Sequence, residues 1–219
     1  MAVPSARAAL ARLSTSRGPR PKPAWMAQLL LGLLVLFAAY QCWTGRAIPR
    51  DPGVLAPDDP RQELLSDGPH WQLGDYDVHA LALFALRARV LSAERYRFDR
   101  EADLAPVDLA LGWGPMSANA VLDTLSIGQG GRFYSWSSRE PMIEPREISR
   151  HSANMHMVPL DADVRATLLD ARRGNLVDLK GWLVEAQGKD GWRWRSSLSR
   201  DDVGSGACEL VLVQTVQLE

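Results

Sequence analysis

The residues best suited to chemistry by type and spacing fall in a few short polar runs. The densest is His151-Ser152-Ala153-Asn154-Met155-His156-Met157. If this run is extended, Ser152, Asn154 and His156 share one face and Met155 and Met157 the other, because side chains alternate along a strand. Such a face could line a site, with the imidazole as acid or base, or it could satisfy backbone groups in a loop. The two histidines stand five apart, so a helix would not superpose them as metal ligands. A second candidate is Cys208, in Gly204-Ser205-Gly206-Ala207-Cys208-Glu209. A thiol after a glycine turn is a nucleophile if a base meets it, and inert packing if it is buried. Ser196 and Ser197 lack the context of a nucleophile elbow. The residues that could build an envelope hydrolase or thiol enzyme are therefore His156, Asn154, Ser197 and Cys208.

A third run, Gly191-Trp192-Arg193-Trp194-Arg195-Ser196-Ser197-Leu198, places tryptophans on one face and arginines on the other. Interleaved aromatic and basic residues can hold polyanions. The rival reading is tryptophan in the core and arginine in solvent.

The elements that must position these residues read as a mostly antiparallel β domain with a few helices. From Tyr76 to Ser92 one face carries Tyr76, Val78, Ala80, Ala82, Phe84, Leu86, Ala88 and Val90; strand is favoured there and helix stays open. Val107 to Trp113 alternates as a half-buried strand. Ser117 is placed to cap a short helix with Val121, Leu122 and Leu125 inward. Arg132 to Trp136 reads as a short strand after a Gly-rich turn. Asp161 to Arg173 carries acids at its start, arginines at its end and Gly174 just beyond, the signs of a helix. Gly188-Lys189-Asp190-Gly191 joins Leu176–Glu185 to Trp192–Leu198 as a hairpin, and Leu210 to Val216 closes the set. The fold class is α+β, and a small, partly closed barrel would hide the strand edges.

Ahead of this domain runs an apolar stretch from Trp25 to Trp43, 19 residues without a charge. As a helix it spans roughly 28 Å, near the thickness of a bilayer core, with Trp25, Tyr40 and Trp43 at belt positions. The tail 1–24 holds Arg7, Arg12, Arg17, Arg20 and Lys22 and no acid, which keeps it cytoplasmic and exports the rest. A cleaved signal peptide is the competing reading, since the strict apolar core, Leu29 to Ala39, is short. Against it, Tyr40-Gln41-Cys42-Trp43 supplies no small-residue cleavage site. Residues 44–70 contain Pro49, Pro52, Pro57, Pro60 and Pro69 among acids, the composition of a semi-extended linker. Residues 71–219 are then one domain.

Without the five basic residues of the tail, 20 basic residues face 26 acidic ones. A net acidic domain argues against nucleic acid as a partner. The only cysteines are Cys42 and Cys208, too few for a disulfide framework. No cofactor or metal motif is present.

Three runs carry a resemblance. They are Ser152-Ala153-Asn154-Met155-His156-Met157-Val158-Pro159; Arg173-Gly174-Asn175-Leu176-Val177 with Gly181-Trp182-Leu183-Val184; and Gly191 to Leu198 continuing through Asp202, Gly204, Gly206, Ala207, Cys208 and Glu209. Together with Leu111-Gly112-Trp113-Gly114 and Asn119, they resemble an uncharacterised family of bacterial single-pass proteins, anchored in the membrane with a periplasmic domain. The resemblance covers roughly residues 71–214 and implies no established activity. The chain departs from the family pattern at Val203, where a threonine is expected. The expectation is a single-pass inner-membrane protein whose periplasmic domain binds an envelope protein partner.

Overall fold

The computed structural model describes residues 24–44, 46–199 and 208–219. The basic tail, Asp202-Val203-Gly204 and the glycine turn before Cys208 lie outside the described residues. The chain divides into a first unit that ends at Trp43 and holds all but the last residue of helix α1 (Ala24–Thr44), and a domain over Thr44–Glu219. Among the described residues no helix is long and apolar enough to cross a membrane; the described side chains of α1 run only from residue 25 to 38, without residue 27, and all of them are exposed.

The domain is α+β, with mostly antiparallel strands and few, short helices. It begins with β1 (Arg61–Leu64), β2 (His70–Leu73) and the long β3 (Tyr76–Arg95). Helix α2 (Arg100–Leu104) leads to β4 (Val107–Gly112), and α3 (Asn119–Leu122) to a hairpin of β5 (Ser126–Gly130) and β6 (Phe133–Ser137). Then follow α4 (Pro145–Arg150), β7 (Ser152–Pro159), α5 (Ala162–Asp170), β8 (Leu176–Gly188), β9 (Arg193–Arg195) and β10 (Glu209–Leu218).

β3 organises the rest. Its alternation of apolar residues fits a pleated sheet, and every second residue from Tyr76 to Val90 is buried, which settles strand against helix. Register shifts at Ala80/Ala82 and Val90/Ser92 mark bulges that bend it. One edge pairs with β8 from Tyr76 to Arg89. The other edge takes β2, β1 and β4 in succession.

Ladders join β3 to β4, β4 to β7, β7 to β10, β10 to β8, and β8 back to β3, so these pairings close a ring. Among the described strands only β7 and β10 pair in parallel. All of its strands send side chains into one interior cluster, among them Phe84, Leu86, Leu109, Met155, Met157, Leu179, Leu183 and Val211. Each large apolar side chain fully buried there stabilises by about 1.5–3 kcal/mol relative to exposure. Helix α5 adds Val164 and Leu168 to this cluster. Asp161 caps it, accepting from the Val164 N–H at 2.8 Å. The helix stops at Asp170, short of Arg173, because Ala171 turns extended and Gly174 takes a φ of 95°. A side chain at 174 would also meet the Ile48 carbonyl at 2.3 Å.

Residues 44–70, expected as a semi-extended linker, are bound to the domain from residue 46 on. The Ile48 N–H donates to the Arg173 carbonyl, and the Ala56 carbonyl accepts from Gly114 N–H. Asp59 accepts from the Trp113 indole at 3.1 Å, and β1 pairs with β3. A proline-rich segment lacks the apolar surface to fold alone, but here the domain supplies its hydrogen-bond partners.

Two local expectations also change. β4 is buried on both faces, because Ala110 packs with Ile148 and Leu122 in a further cluster against which the β5–β6 hairpin lies. Ser117 does not cap α3: its hydroxyl accepts from the N–H groups of Leu55 and Ala56 and donates to the Gly114 carbonyl. Val121, Leu122 and Leu125 are buried as expected.

Candidate functional site

The polar face of β7 is the core of the site. Ser152, Asn154 and His156 are buried on one face, while Met155 and Met157 enter the ring interior. Strand pairing places Asp108 of β4 directly opposite His156. Asp108 is fully buried, and its Oδ1 stands 2.9 Å from His156 Nδ1. The separation is that of an ion contact, yet Nδ1 makes no aligned hydrogen bond.

Arg132 completes the charge arrangement. It sits at the tip of the β5–β6 hairpin with a φ of 70°, following Gly131 at 58°. This left-handed turn, strained for a residue with a Cβ, aims the guanidinium down onto the sheet. Its NH1 donates to Asp108 Oδ1 at 2.9 Å and to the Ala105 carbonyl at 2.9 Å, and its NH2 to Asp99 Oδ1 at 2.7 Å. The guanidinium lies 3.7 Å from the centroid of the Tyr96 ring. Trp194 of β9 roofs the cluster, its ring 4.7 Å from that of His156.

Asn154 ties the remaining groups. Its Nδ2 donates to the Arg132 carbonyl at 3.0 Å and reaches Cys208 Sγ at 4.0 Å, the outer limit for sulfur. Its Oδ1 accepts from Gln129 Nε2 at 2.8 Å. Burial pushes the Cys208 thiol up to about 11; the Asn154 bond opposes this, and the charges of Glu209 and Asp108 add to it. At neutral pH Cys208 is therefore a thiol and a poor nucleophile. Even so, Asp108 Oδ2, Gln129 Oε1 and Arg132 Nε remain buried without a partner.

Of the residues singled out in the sequence, His156, Asn154 and Cys208 meet around this cluster. Ser197 is tied to it through its backbone N–H, which donates to the Cys208 carbonyl. Its hydroxyl donates to the Ser199 carbonyl at 2.9 Å and accepts from the Ser199 N–H at 3.1 Å. The Ser196 hydroxyl accepts from Leu210 N–H, so both serines fix local chain geometry. His151 sits apart, its Nδ1 2.9 Å from the Glu147 carbonyl. Among the described residues no group of three or more His, Cys, Asp or Glu is arranged to hold a metal.

Asp108, Gln129 and Arg132 escaped the sequence reading. A lone carboxylate in Val107-Asp108-Leu109 was the available signal, since an aspartate inside an apolar strand needs a partner. Nothing local tells that Arg132, across a glycine turn, is that partner.

The tryptophan–arginine run divides cleanly. Trp192 and Trp194 pack on the apolar face formed by Val158, Leu210 and Leu212. Arg193 and Arg195 bind the buried Glu185, with contacts of 2.7 and 2.8 Å from Arg193 and 2.5 Å from Arg195. Burial alone would raise the Glu185 carboxyl; the bonds from Arg193, Arg195 and Gln187 outweigh it and hold it at about 2. Both arginines are thus committed to an internal carboxylate.

Compared with protein-family models, with curated proteins and with solved structures, the chain matches none.

Proposed function

We propose that this chain is a membrane-anchored binding module, with its domain outside the cytoplasm and its ligand face on β4 and β7. The observation that carries the binding reading is the buried cluster itself. Asp108, Gln129 and Arg132 converge with hydrogen-bonding capacity left unmet, an arrangement that costs stability unless a ligand or water uses it.

The connectivity supports the same face. In chain order the ring strands are β3, β4, β7, β8 and β10, with α5 between the third and fourth and a parallel contact between the third and fifth. That is the arrangement of an OB-type barrel, in which the second and third strands and two flanking loops form the binding surface. Here those strands are β4 and β7. The flanking connections contribute Tyr96 and Asp99 on one side, and Trp194 and Cys208 on the other. Fold alone does not assign function; the unmet polar groups do the arguing.

The enzyme reading is weaker because its nucleophiles are disarmed. Cys208 is held protonated, and the Ser197 hydroxyl is engaged with Ser199. The anchor rests on the uncharged run from Trp25 to Trp43 and on the basic, acid-free tail before it.

The test is a thermal-shift panel of envelope peptides, glycans and peptidoglycan fragments on the full chain. A stabilising ligand whose effect disappears in Asp108→Asn supports binding at this face. Reproducible turnover of a hydrolase substrate, lost in His156→Ala, would overturn the reading in favour of catalysis. Alkaline phosphatase fused after residue 219 should be active if the domain is exported and silent if it is not.

A further inference from the structure

Beyond the bulge at Ala80/Ala82, the strands β2, β3, β8 and β9 continue as a ribbon. One of its faces is apolar and packs under Trp71, Trp192 and Trp194. The other is polar: His70, His79, Glu185 and Arg195 are register partners in one row across the four strands. Within it, the His70 and His79 rings stack face to face, 4.2 Å between centroids and 2° from parallel. The His70 side chain is 58% exposed, and its Nδ1 lies 3.8 Å from Asp77 Oδ1. Glu185 is already held by Arg193 and Arg195, which leaves the imidazoles as the groups of this row still open to a ligand.

We propose that His70 and His79 form a two-imidazole clamp for a late first-row divalent transition metal. Each would ligate through Nε2, and Asp77 would orient His70 through Nδ1. A carboxylate behind a ligating histidine fixes its tautomer and raises its basicity. Two nitrogens each about 2.05 Å from a tetrahedral ion stand about 3.4 Å apart. Each nitrogen–metal bond lies in the plane of its imidazole, so the parallel rings have to swing out of the stack by side-chain rotation until their Nε2 atoms converge on the ion, the exposed His70 moving most. Pairing on adjacent strands fixes both Cα positions, so little order is lost on binding. With two protein ligands, water fills the remaining positions. The Irving–Williams order then makes Cu²⁺ bind more tightly than Zn²⁺.

The experiment titrates the full chain, without an affinity tag, with Cu²⁺ alone and then with Zn²⁺ alone. One equivalent should bind, Cu²⁺ more tightly, with electron paramagnetic resonance showing two nitrogen ligands on copper. His70→Ala and His79→Ala should each weaken binding at least tenfold, Asp77→Asn severalfold, and His151→Ala not at all. Binding should fall away as acid protonates the imidazoles. No saturable binding, or an affinity unchanged in the His70→Ala/His79→Ala double variant with its circular dichroism intact, overturns the clamp. None of these outcomes touches the β4–β7 face.

Discussion

Asp108 shows how much one side chain decides. It lies between a guanidinium and an imidazole, with no exposure of its own. Removing one partner of a buried ion pair leaves the other charge uncompensated, at a cost of about 3–5 kcal/mol. Asp108→Ala is expected to fall at the lower end, about 3 kcal/mol, because Arg132 keeps Asp99; urea unfolding of the full chain checks it, and a change below about 1 kcal/mol would sink the account. Glu185 gives a pH prediction. Its folded value of about 2 lies below the ordinary 4.5. The group therefore stabilises above pH 4.5, and that contribution is lost as pH falls through about 2. Glu185→Gln should show a lower melting temperature than the parent at neutral pH, with the gap closing across that window. Cys208 gives a kinetic one: in a Cys42→Ser background its thiol should react with Ellman's reagent at neutral pH at least about tenfold faster after denaturation than before. Equal rates would mean an activated thiol and would revive the enzyme reading.

Elements were readable in proportion to how local their causes are. Asp161, Val164, Leu168 and Gly174 announce α5 because cap, stripe and stop all sit within one segment. The same holds for the β8–β9 hairpin and for the alternating face of β7. Ser117 misled because a serine before a helical pattern looks like a cap, whereas its hydroxyl serves Leu55 and Ala56, far away in sequence. β4 misled because alternation reports one covered face, whereas Leu122, Ile148 and the β5–β6 hairpin, all later in the chain, cover the other. The α5 cap offers a check at this scale. Asp161→Ala should cost about 1 kcal/mol, with Asp161→Asn largely restoring it; chemical denaturation measures both. An unchanged midpoint in Asp161→Ala would mean that packing of Val164 and Leu168 alone sustains the helix.

At the scale of the whole molecule, the boundary of the domain is the point where composition and structure part. Five prolines and several acids mark residues 44–70 as unable to fold alone, and that much is sound physics. What composition does not disclose is the vacant edge of β3, which β1 fills from Arg61 to Leu64, or the Trp113 indole that needs Asp59. An unpaired stretch of central strand and an unsatisfied buried indole are costly, so the segment belongs to the domain energetically although it lacks a core of its own. Two truncations separate the readings. A chain starting at residue 46 should melt cooperatively, because it keeps β1, Ala56 and the Ile48 contact with Arg173. A chain starting at residue 71 loses all of these and exposes the β3 edge, so it should unfold at clearly lower denaturant or aggregate. If the two midpoints coincide, residues 46–70 are only draped on the surface, and the domain ends where composition alone would place it.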